Sequence, residues 1–250
     1  MRLRLTVAYD GGRFSGWQSQ PGGNTVQDAL AAAFSAVCPE RVVIHGAGRT
    51  DAGFHADGQS AHVDVPEGRL PLTSWLPAVN AHLPEGVRIM ALRPAPADFH
   101  ARFDATGKEY RYTVWNGPVL PPLLLGRAWH VPWKLDRRVL RDACAELTGT
   151  HDFDAFSAKR SKEPVSTVRT VSSIRISATG PQIRLTFRGP GFLYKMVRIL
   201  TAAAVRCACG RMEVDDLRTR LTAGCPRLNH VAPAGGLCLV RVVYGRSRPR

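Results

Sequence analysis

The chain has 250 residues, enough for one large domain or two small ones, and its hydrophobic and charged fractions are ordinary for a globular protein. Its charge is less ordinary, because 34 Lys and Arg residues against 20 Asp and Glu give a formal net charge of +14. That excess favours a polyanionic partner, with nucleic acid first. A membrane surface fits less well, since no helix pairs a basic face with an aromatic, apolar one.

The sequence pattern in the first part of the chain predicts the secondary-structure order β-α-β-β-α-β. Alternating apolar residues indicate strands, and Thr25 followed three residues later by Asp28 begins a helix as in a capping box. The Pro-rich stretch Pro94–Ala97 then marks a connection. The other predicted elements are the strands Arg2–Tyr9, Arg41–His45, Gln59–Val65 and Val87–Arg93 and a helix over Ser74–Leu83, in which Pro77 falls near the first turn.

The second part predicts the same order with insertions. Asp136 caps a helix that ends at Gly149, and a small extra helix lies near Val214–Ala223. The remaining predicted elements are the strands Lys108–Trp115, Val168–Ala178, Gln182–Arg188 and Leu237–Tyr244, an extended piece at Trp129–Val131 and a helix over Phe192–Cys209.

Two runs of the same element order predict an α+β fold built from two ferredoxin-like, or split βαβ, units. We place them at residues 1–105 and 106–250. Their strands are expected to share a mixed, mostly antiparallel central sheet with a cleft between the units, which is a favoured location for a site.

The cysteine spacing and the N-terminal sequence argue against a zinc protein, a secreted protein and a membrane protein. The six cysteines are scattered, and the close pair Cys207 and Cys209 lacks the usual zinc spacing, so we predict buried thiols in a reducing compartment. The N-terminus has no apolar core of a secretory signal, and no apolar run approaches the length of a membrane span. We therefore predict a cytoplasmic protein with no membrane partner.

One loop combines an acid, an arginine and several glycines: Gly46-Ala47-Gly48-Arg49-Thr50-Asp51-Ala52-Gly53-Phe54-His55. It lies between two predicted strands and has almost nothing that would build a core, so its backbone is free to turn sharply. We interpret Asp51 as a catalytic nucleophile. The alternative is an ordinary turn, in which the Asp side chain accepts hydrogen bonds from nearby backbone N–H groups.

Arg198 is an anomaly in the predicted helix Phe192–Cys209, which is apolar on nearly all sides for three turns. A guanidinium there either extends to water or pairs with a carboxylate, because an unpaired buried charge is too costly. If Arg198 pairs, Asp51 is an attractive partner, and the guanidinium would keep that acid ionised. Both interpretations stay open.

Tyr110 and Tyr112 share one face of the strand Lys108–Trp115. Two such tyrosines are usually core aromatics of a sheet, and the alternative is a ring that stacks on an unpaired base of RNA. The basic run Lys159-Arg160-Ser161-Lys162 is likewise either a solvated loop or a phosphate contact.

Together these residues resemble the TruA-type tRNA pseudouridine synthases, also called the tRNA pseudouridine synthase I family. The stretch from Gly48 to Ala56 is similar to the signature loop of that family, which usually has valine where this chain has Phe54. The other matching stretches, which extend the resemblance over the whole chain, are Tyr9-Asp10-Gly11, Gly16-Trp17-Gln18, Asp98-Phe99-His100-Ala101-Arg102-Phe103, Tyr110-Arg111-Tyr112, Met196-Val197-Arg198 and Gly236-Leu237-Cys238-Leu239.

The resemblance implies isomerisation of uridine to pseudouridine in the anticodon stem-loop of tRNAs, at positions 38 to 40 in tRNA numbering. It also implies a homodimer that uses no cofactor and no metal. Asp51 would be the nucleophile on a flipped-out uridine, attacking either its base or its ribose, with Arg198 as its ionic partner. Tyr110 would stack on the base and is a candidate for proton transfer at C5, Leu237 would cover the opposite face, and Arg49 would hold the phosphate.

Two other functions fit the same composition. A non-catalytic RNA-binding protein would use the basic surface without needing Asp51, and a metabolic enzyme would act on a phosphorylated small molecule without RNA. The sequence leaves open which uridines and which tRNAs are modified.

Overall fold

A computed structural model describes residues 1–38, 40–159, 166–222 and 224–245. The contacts of the chain divide it into two compact units, the first being Met1–Thr106 with Cys238–Arg250 and the second Gly107–Leu237. Of the basic run predicted as a possible phosphate contact, residues 160–162 lie outside the described part of the chain.

The first unit has the predicted order β-α-β-β-α-β and ends with the last strand of the chain. Its elements are β1 (Arg2–Tyr9), α1 (Val26–Val37), β2 (His45–Gly46), β3 (His55–Asp64), α2 (Leu72–Ala81), β4 (Val87–Pro94) and β11 (Leu237–Tyr244).

The sheet of the first unit follows from the alternation in β1, whose residues Leu3, Leu5 and Val7 are buried while their neighbours are not. β1 pairs antiparallel with both β3 and β4, and β2 pairs antiparallel with β3. The resulting order β4-β1-β3-β2 is that of a split βαβ unit.

The last strand, β11, joins the first unit through β3. It pairs in parallel with the start of β3, where Cys238 lies opposite His55 and Leu239 opposite Ala56. The predicted division at residue 105 placed this strand with the second unit. Its bounds are as predicted, and the contacts of the chain group Cys238–Arg250 with the first unit.

The helices of the first unit pack on each other through aromatic rings. Thr25 is the N-cap of α1 and its hydroxyl accepts the N–H of Asp28, as the capping pattern predicts. Phe34 of α1 then stacks on Trp75 of α2 with 6.0 Å between ring centroids.

Three predictions in this unit were wrong in detail. The strand predicted over Gln59–Val65 already begins at His55. Arg41–His45 is not a strand apart from its last residue, because the carbonyl of Ile44 accepts a hydrogen bond from the side-chain amide of Gln27 instead of joining a ladder. The helix α2 begins two residues earlier than predicted, so Pro77 lies inside the helix and not in its first turn.

The second unit contains the remaining elements. They are β5 (Ala105–Trp115), β6 (Trp129–His130), α3 (Arg137–Glu146), β7 (Gly149–Asp152), β8 (Val168–Val171), β9 (Ser173–Thr179), β10 (Gln182–Gly189), α4 (Met196–Ala208) and α5 (Val214–Arg220).

The sheet of the second unit has β10 between β5 and β9, with both pairs antiparallel, and β6 runs parallel to β5. β7 and β8 form a separate antiparallel pair, and α3 packs against α4 and α5. Helices packed with mixed, mostly antiparallel sheets confirm the predicted α+β class. None of the helices in the described residues combines the length and apolarity needed to cross a bilayer.

Five predicted bounds in this unit were wrong. The strand predicted to begin at Lys108 already begins at Ala105, and the helix predicted to end at Gly149 ends at Glu146, so that Gly149 begins β7. The strand predicted over Val168–Ala178 is broken at Ser172, so that β8 pairs with β7 while β9 pairs with β10. The helix α4 begins at Met196, four residues later than predicted, because Lys195 adopts the left-handed backbone conformation that precedes it. The helix α5 already ends at Arg220.

Candidate functional site

The loop that carries Asp51 connects β2 to β3. Asp51 is half-buried, Thr50 before it is buried and Arg49 is exposed. The N–H of Phe54 donates to the carbonyl of Asp51 at 3.2 Å, and Gly53 has a φ of +77°, as a turn with a left-handed third residue requires. Asp51 is therefore the first residue of a backbone turn that is closed by Phe54.

Residues just after β1 hold this loop on both sides of Asp51. The N–H of Trp17 donates to the carbonyl of Thr50 at 3.0 Å, and the N–H of Gly53 donates to the carbonyl of Gly11 at 3.1 Å. The hydroxyls of Tyr9 and Thr50 are 2.9 Å apart and share a buried hydrogen bond. The backbone of Asp51 is thus held within two residues on either side.

This contact requires glycine at two positions. A Cβ atom on Gly11 would lie 2.1 Å from the carbonyl oxygen of Phe54. Gly16 has a φ of +98°, and a Cβ there would lie 2.7 Å from the carbonyl oxygen of Thr50. Only glycine lets the two backbone segments approach this closely without strain.

The side chains of Asp10 and His55 meet at the same contact between the segment after β1 and the Asp51 loop. Nδ1 of His55 lies 3.1 Å from an oxygen of Asp10 and also 3.1 Å from the backbone nitrogen of Gly11. Local patterns in the sequence did not predict this role for Asp10, Gly11 or Gly16. The signal that points to it is a Gly-Gly turn directly after a buried strand, which marks a close approach of backbones.

In the second unit, Arg198 lies in the first turn of α4 and is half-buried. Its Nε donates to the carbonyl of Ala232 at 2.7 Å, and the N–H of Ala232 donates back to the carbonyl of Arg198 at 3.3 Å. A cation near the N-terminus of a helix is disfavoured by the helix dipole, so hydrogen bonds must compensate for its placement. Its pairing with Asp51 stays a prediction.

The two tyrosines of β5 have different environments. Tyr112 is fully buried, its hydroxyl donates to the carbonyl of Pro233 at 2.7 Å, and burial raises its pKa well above the usual value. A Cβ on Gly236 would lie 2.6 Å from the ring of Tyr112. Tyr110 is only half-buried and meets the ring of Phe192 edge-on at 5.2 Å. Tyr112 is therefore a core residue, as the structural alternative held, whereas Tyr110 keeps part of its surface accessible.

The other predicted site residues divide between the units. Leu237, the first residue of β11, is buried with 2% of its surface exposed. Arg49 and Asp51 belong to the first unit, and Tyr110, Arg198 and Leu237 belong to the second. The structure brings Arg49 and Asp51 together on one loop, and the assembly of all five residues into one site stays a prediction.

A cluster of three histidines lies elsewhere in the first unit, on β2, β3 and the segment before β5. The rings of His45 and His62 stack at 4.7 Å, and His100 meets the ring of His62 at 4.7 Å. Burial of His62, with the added effect of His45, Arg2 and His100 against the opposing Asp64, lowers its pKa from 6.5 to about 4.

The depressed pKa of His62 predicts an acid-sensitive fold. The unfolded chain binds a proton near pH 6.5 and the folded chain only near pH 4, so stability present above pH 6.5 is lost as the pH falls through that window. Between pH 7 and pH 5 the loss is expected to be about 2 kcal/mol. Urea unfolding at both pH values measures it. The control is His62→Asn, whose amide oxygen can still accept the N–H of Ala101. This variant is expected to lose less stability than wild type between pH 7 and pH 5. Equal pH dependence of stability in both proteins would contradict the prediction.

Comparisons with known proteins identify one family over nearly the whole chain. A family model described as tRNA pseudouridine synthase matches residues 5–104 and 143–245, which include Arg49, Asp51, Arg198 and Leu237, while Tyr110 lies in the stretch between them. A protein of Akkermansia muciniphila named tRNA pseudouridine synthase A is 46% identical over 253 residues, covering 97% of this chain and 95% of that protein. Proteins of the same name from Solidesulfovibrio magneticus and Brevibacillus brevis are 47% and 41% identical, covering 98% and 97% of this chain and 91% and 99% of theirs.

Proposed function

Because the chain belongs to the tRNA pseudouridine synthase family, we propose that it is an isomerase that converts uridine to pseudouridine in the anticodon stem-loop of tRNAs. The observation that carries the proposal is the half-buried Asp51 on a loop whose backbone is held on both sides, next to the exposed Arg49. The net charge of +14 supports a polyanionic substrate.

The reaction rearranges one bond and needs no redox step. The C1′–N1 bond of the uridine breaks, a C1′–C5 bond forms, the proton on C5 leaves and N1 takes up a proton. A carboxylate nucleophile can carry the detached base or the detached ribose through a covalent intermediate. Asp51 is the proposed nucleophile, acting on a uridine flipped out of its stack, since the reacting atoms of a stacked base are out of reach.

The remaining predicted site residues have proposed roles in the same reaction. Arg198, fixed by Ala232, would hold the carboxylate of Asp51 ionised. The half-buried ring of Tyr110 would stack on the base and its hydroxyl would take part in proton transfer at C5, while Leu237 would cover the opposite face of the base. Arg49 would hold the phosphate of the flipped nucleotide.

The proposal includes a cytoplasmic homodimer that works without cofactor or metal. The dimer is tested by sedimentation velocity of the purified protein at micromolar concentration, where a species near twice the chain mass is expected. A single species at the chain mass would contradict it.

Release of tritium from tRNA labelled at C5 of uridine tests the activity. The purified chain is expected to release tritium from tRNA uridines in the anticodon stem-loop and to leave pseudouridine there. Binding of tRNA without tritium release would favour a non-catalytic RNA-binding protein. Activity on a phosphorylated small molecule in the absence of RNA would favour the metabolic enzyme.

The two tyrosines of β5 give a matched pair of variants. Tyr110→Phe is expected to reduce the rate of tritium release about 100-fold, because the proton transfer at C5 loses its hydroxyl. Tyr112→Phe loses the hydrogen bond to Pro233 and is expected to cost about 1 kcal/mol of stability without changing the rate. Thermal unfolding and single-turnover kinetics measure both effects, and equal rates for the two variants would refute the role of Tyr110.

A further inference from the structure

The histidine cluster continues outward into an exposed aromatic ring. Phe103 is 74% exposed, yet its ring stacks on His100 with centroids 4.2 Å apart. The guanidinium carbon of Arg102 lies 5.7 Å from the centroid of the same ring. The segment 98–104 that carries these residues matches the family, but nothing in the proposed reaction uses it.

Hydrogen bonds hold this segment rigid. Nδ1 of His100 accepts the backbone N–H groups of Arg102 and Phe103 at 3.1 and 3.3 Å, and the N–H of His100 donates to Asp104 at 2.8 Å. Nδ1 of His62 accepts the N–H of Ala101 at 3.1 Å. The exposed ring of Phe103 therefore projects from a fixed base, with little conformational entropy left to lose on binding.

The same bonds argue against a metal site. One ring nitrogen of each of His45, His62 and His100 lies within 4.8 Å of the others, whereas nitrogens bound to one tetrahedral zinc ion are about 3.3 Å apart. Since Nδ1 of His62 and of His100 accepts a backbone N–H, the neutral rings carry their proton on Nε2. His62 and His100 thus offer N–H donors, and not lone pairs, at the ring nitrogen that is left for a ligand.

An exposed ring beside a guanidinium and imidazole N–H donors is the chemistry that recognises RNA. Bases stack on aromatic rings, and phosphates accept hydrogen bonds from arginine and histidine. Along β3, His62 lies seven residues beyond His55, where the Asp51 loop ends, which is about 23 Å. A nucleotide at Phe103 is therefore not the uridine at Asp51.

We propose that His45, His100, Arg102 and Phe103 form a second RNA-binding surface, on which Phe103 stacks on a base and the charged and N–H groups contact phosphates of the same tRNA. The surface extends the proposed function, since it takes the tRNA as its ligand. It would set where the tRNA lies relative to Asp51, because the two sites share the rigid strand β3.

Equilibrium binding of a fluorescently labelled tRNA transcript tests the surface. Phe103→Ser is expected to weaken binding about tenfold, the size of losing one stacked base. The matched control is Met90→Ser, an apolar residue of β4 that is 61% exposed in the same unit, and its affinity is expected to stay within twofold of wild type. Adding Arg102→Gln to Phe103→Ser is expected to make the slope of the logarithm of the binding constant against the logarithm of salt concentration less steep, by the amount that corresponds to about one phosphate contact.

Three results would overturn this inference. The first is Phe103→Ser and Met90→Ser variants that both bind tRNA like wild type. The second is a Phe103→Ser variant that changes its sedimentation but not its affinity, which would make the surface a contact between protein chains. The third is stoichiometric zinc binding that His45→Ala abolishes. Because affinity is measured without turnover, the absence of tritium release from wild type would refute the proposed reaction and leave this test standing.

Discussion

Replacing Asp51 with Asn is expected to abolish pseudouridine formation while tRNA still binds. The substitution keeps the size of the side chain and the backbone turn to Phe54, but an amide cannot form the covalent intermediate. We expect tritium release to fall by about four orders of magnitude or more, as when a nucleophile is removed from other enzymes. Single-turnover tritium release with excess enzyme measures it directly, because product release does not enter.

The control removes one negative charge elsewhere in the same unit. Glu67→Gln changes a side chain that is 86% exposed and follows the end of β3 opposite to the loop. Its rate and tRNA affinity are expected to match wild type. An Asp51→Asn enzyme that retains even a tenth of the wild-type rate would refute the nucleophile, and a variant that loses tRNA binding as well would shift the role of Asp51 to binding.

The position of Asp51 was open to sequence reasoning, but the way it is held was not. Three glycines around an acid, between two strand-like segments, predict a sharply turned loop from local composition alone. The hydrogen bond between Tyr9 and Thr50 joins residues 41 positions apart, and no local pattern encodes which segment meets the loop. Close approach of backbones depends on tertiary packing, and only the glycines at 11 and 16 hint at it.

Tyr110 and Tyr112 show the same limit. Alternation correctly predicts a strand and one shared face, but it cannot rank two residues on that face by burial. Tyr112 is fixed in the core by the carbonyl of Pro233, 121 residues away. The strand β11 is a further case, because its alternating residues predict its bounds while its parallel pairing with β3 depends on contacts across the whole chain.

Histidine chemistry was missed for a related reason. Eight scattered histidines give no ligand spacing in sequence, and His45, His62 and His100 meet only because the pairing of β2 with β3 places His45 opposite His62. The register of a sheet thus creates the cluster, and the backbone N–H groups of residues 101–103 then decide which ring nitrogens carry protons.

The second large effect is expected from Gly11→Ala, which changes no side chain that reacts. A methyl group at this position would lie 2.1 Å from the carbonyl oxygen of Phe54, so the segment after β1 must move away from the loop. The bond from the N–H of Gly53 to Gly11 then lengthens and Asp51 is displaced. A displacement of about 1 Å is enough to reduce kcat about 100-fold, and KM is expected to change little because the phosphate contacts remain.

Gly12 supplies the matched control, since a Cβ there would meet only the side chain of Asp10, at 3.3 Å, and a shift of a few tenths of an ångström relieves that contact. Gly12→Ala is expected to retain wild-type kcat and thermal stability. If Gly11→Ala fails to fold, Tyr9→Phe tests whether this segment positions Asp51. It removes the hydrogen bond to Thr50 and keeps the ring, so it disturbs the packing less. A lower kcat at unchanged KM in Tyr9→Phe supports positioning of Asp51 by this segment. Wild-type kcat in both Tyr9→Phe and a folded Gly11→Ala would show that the segment only stabilises the fold.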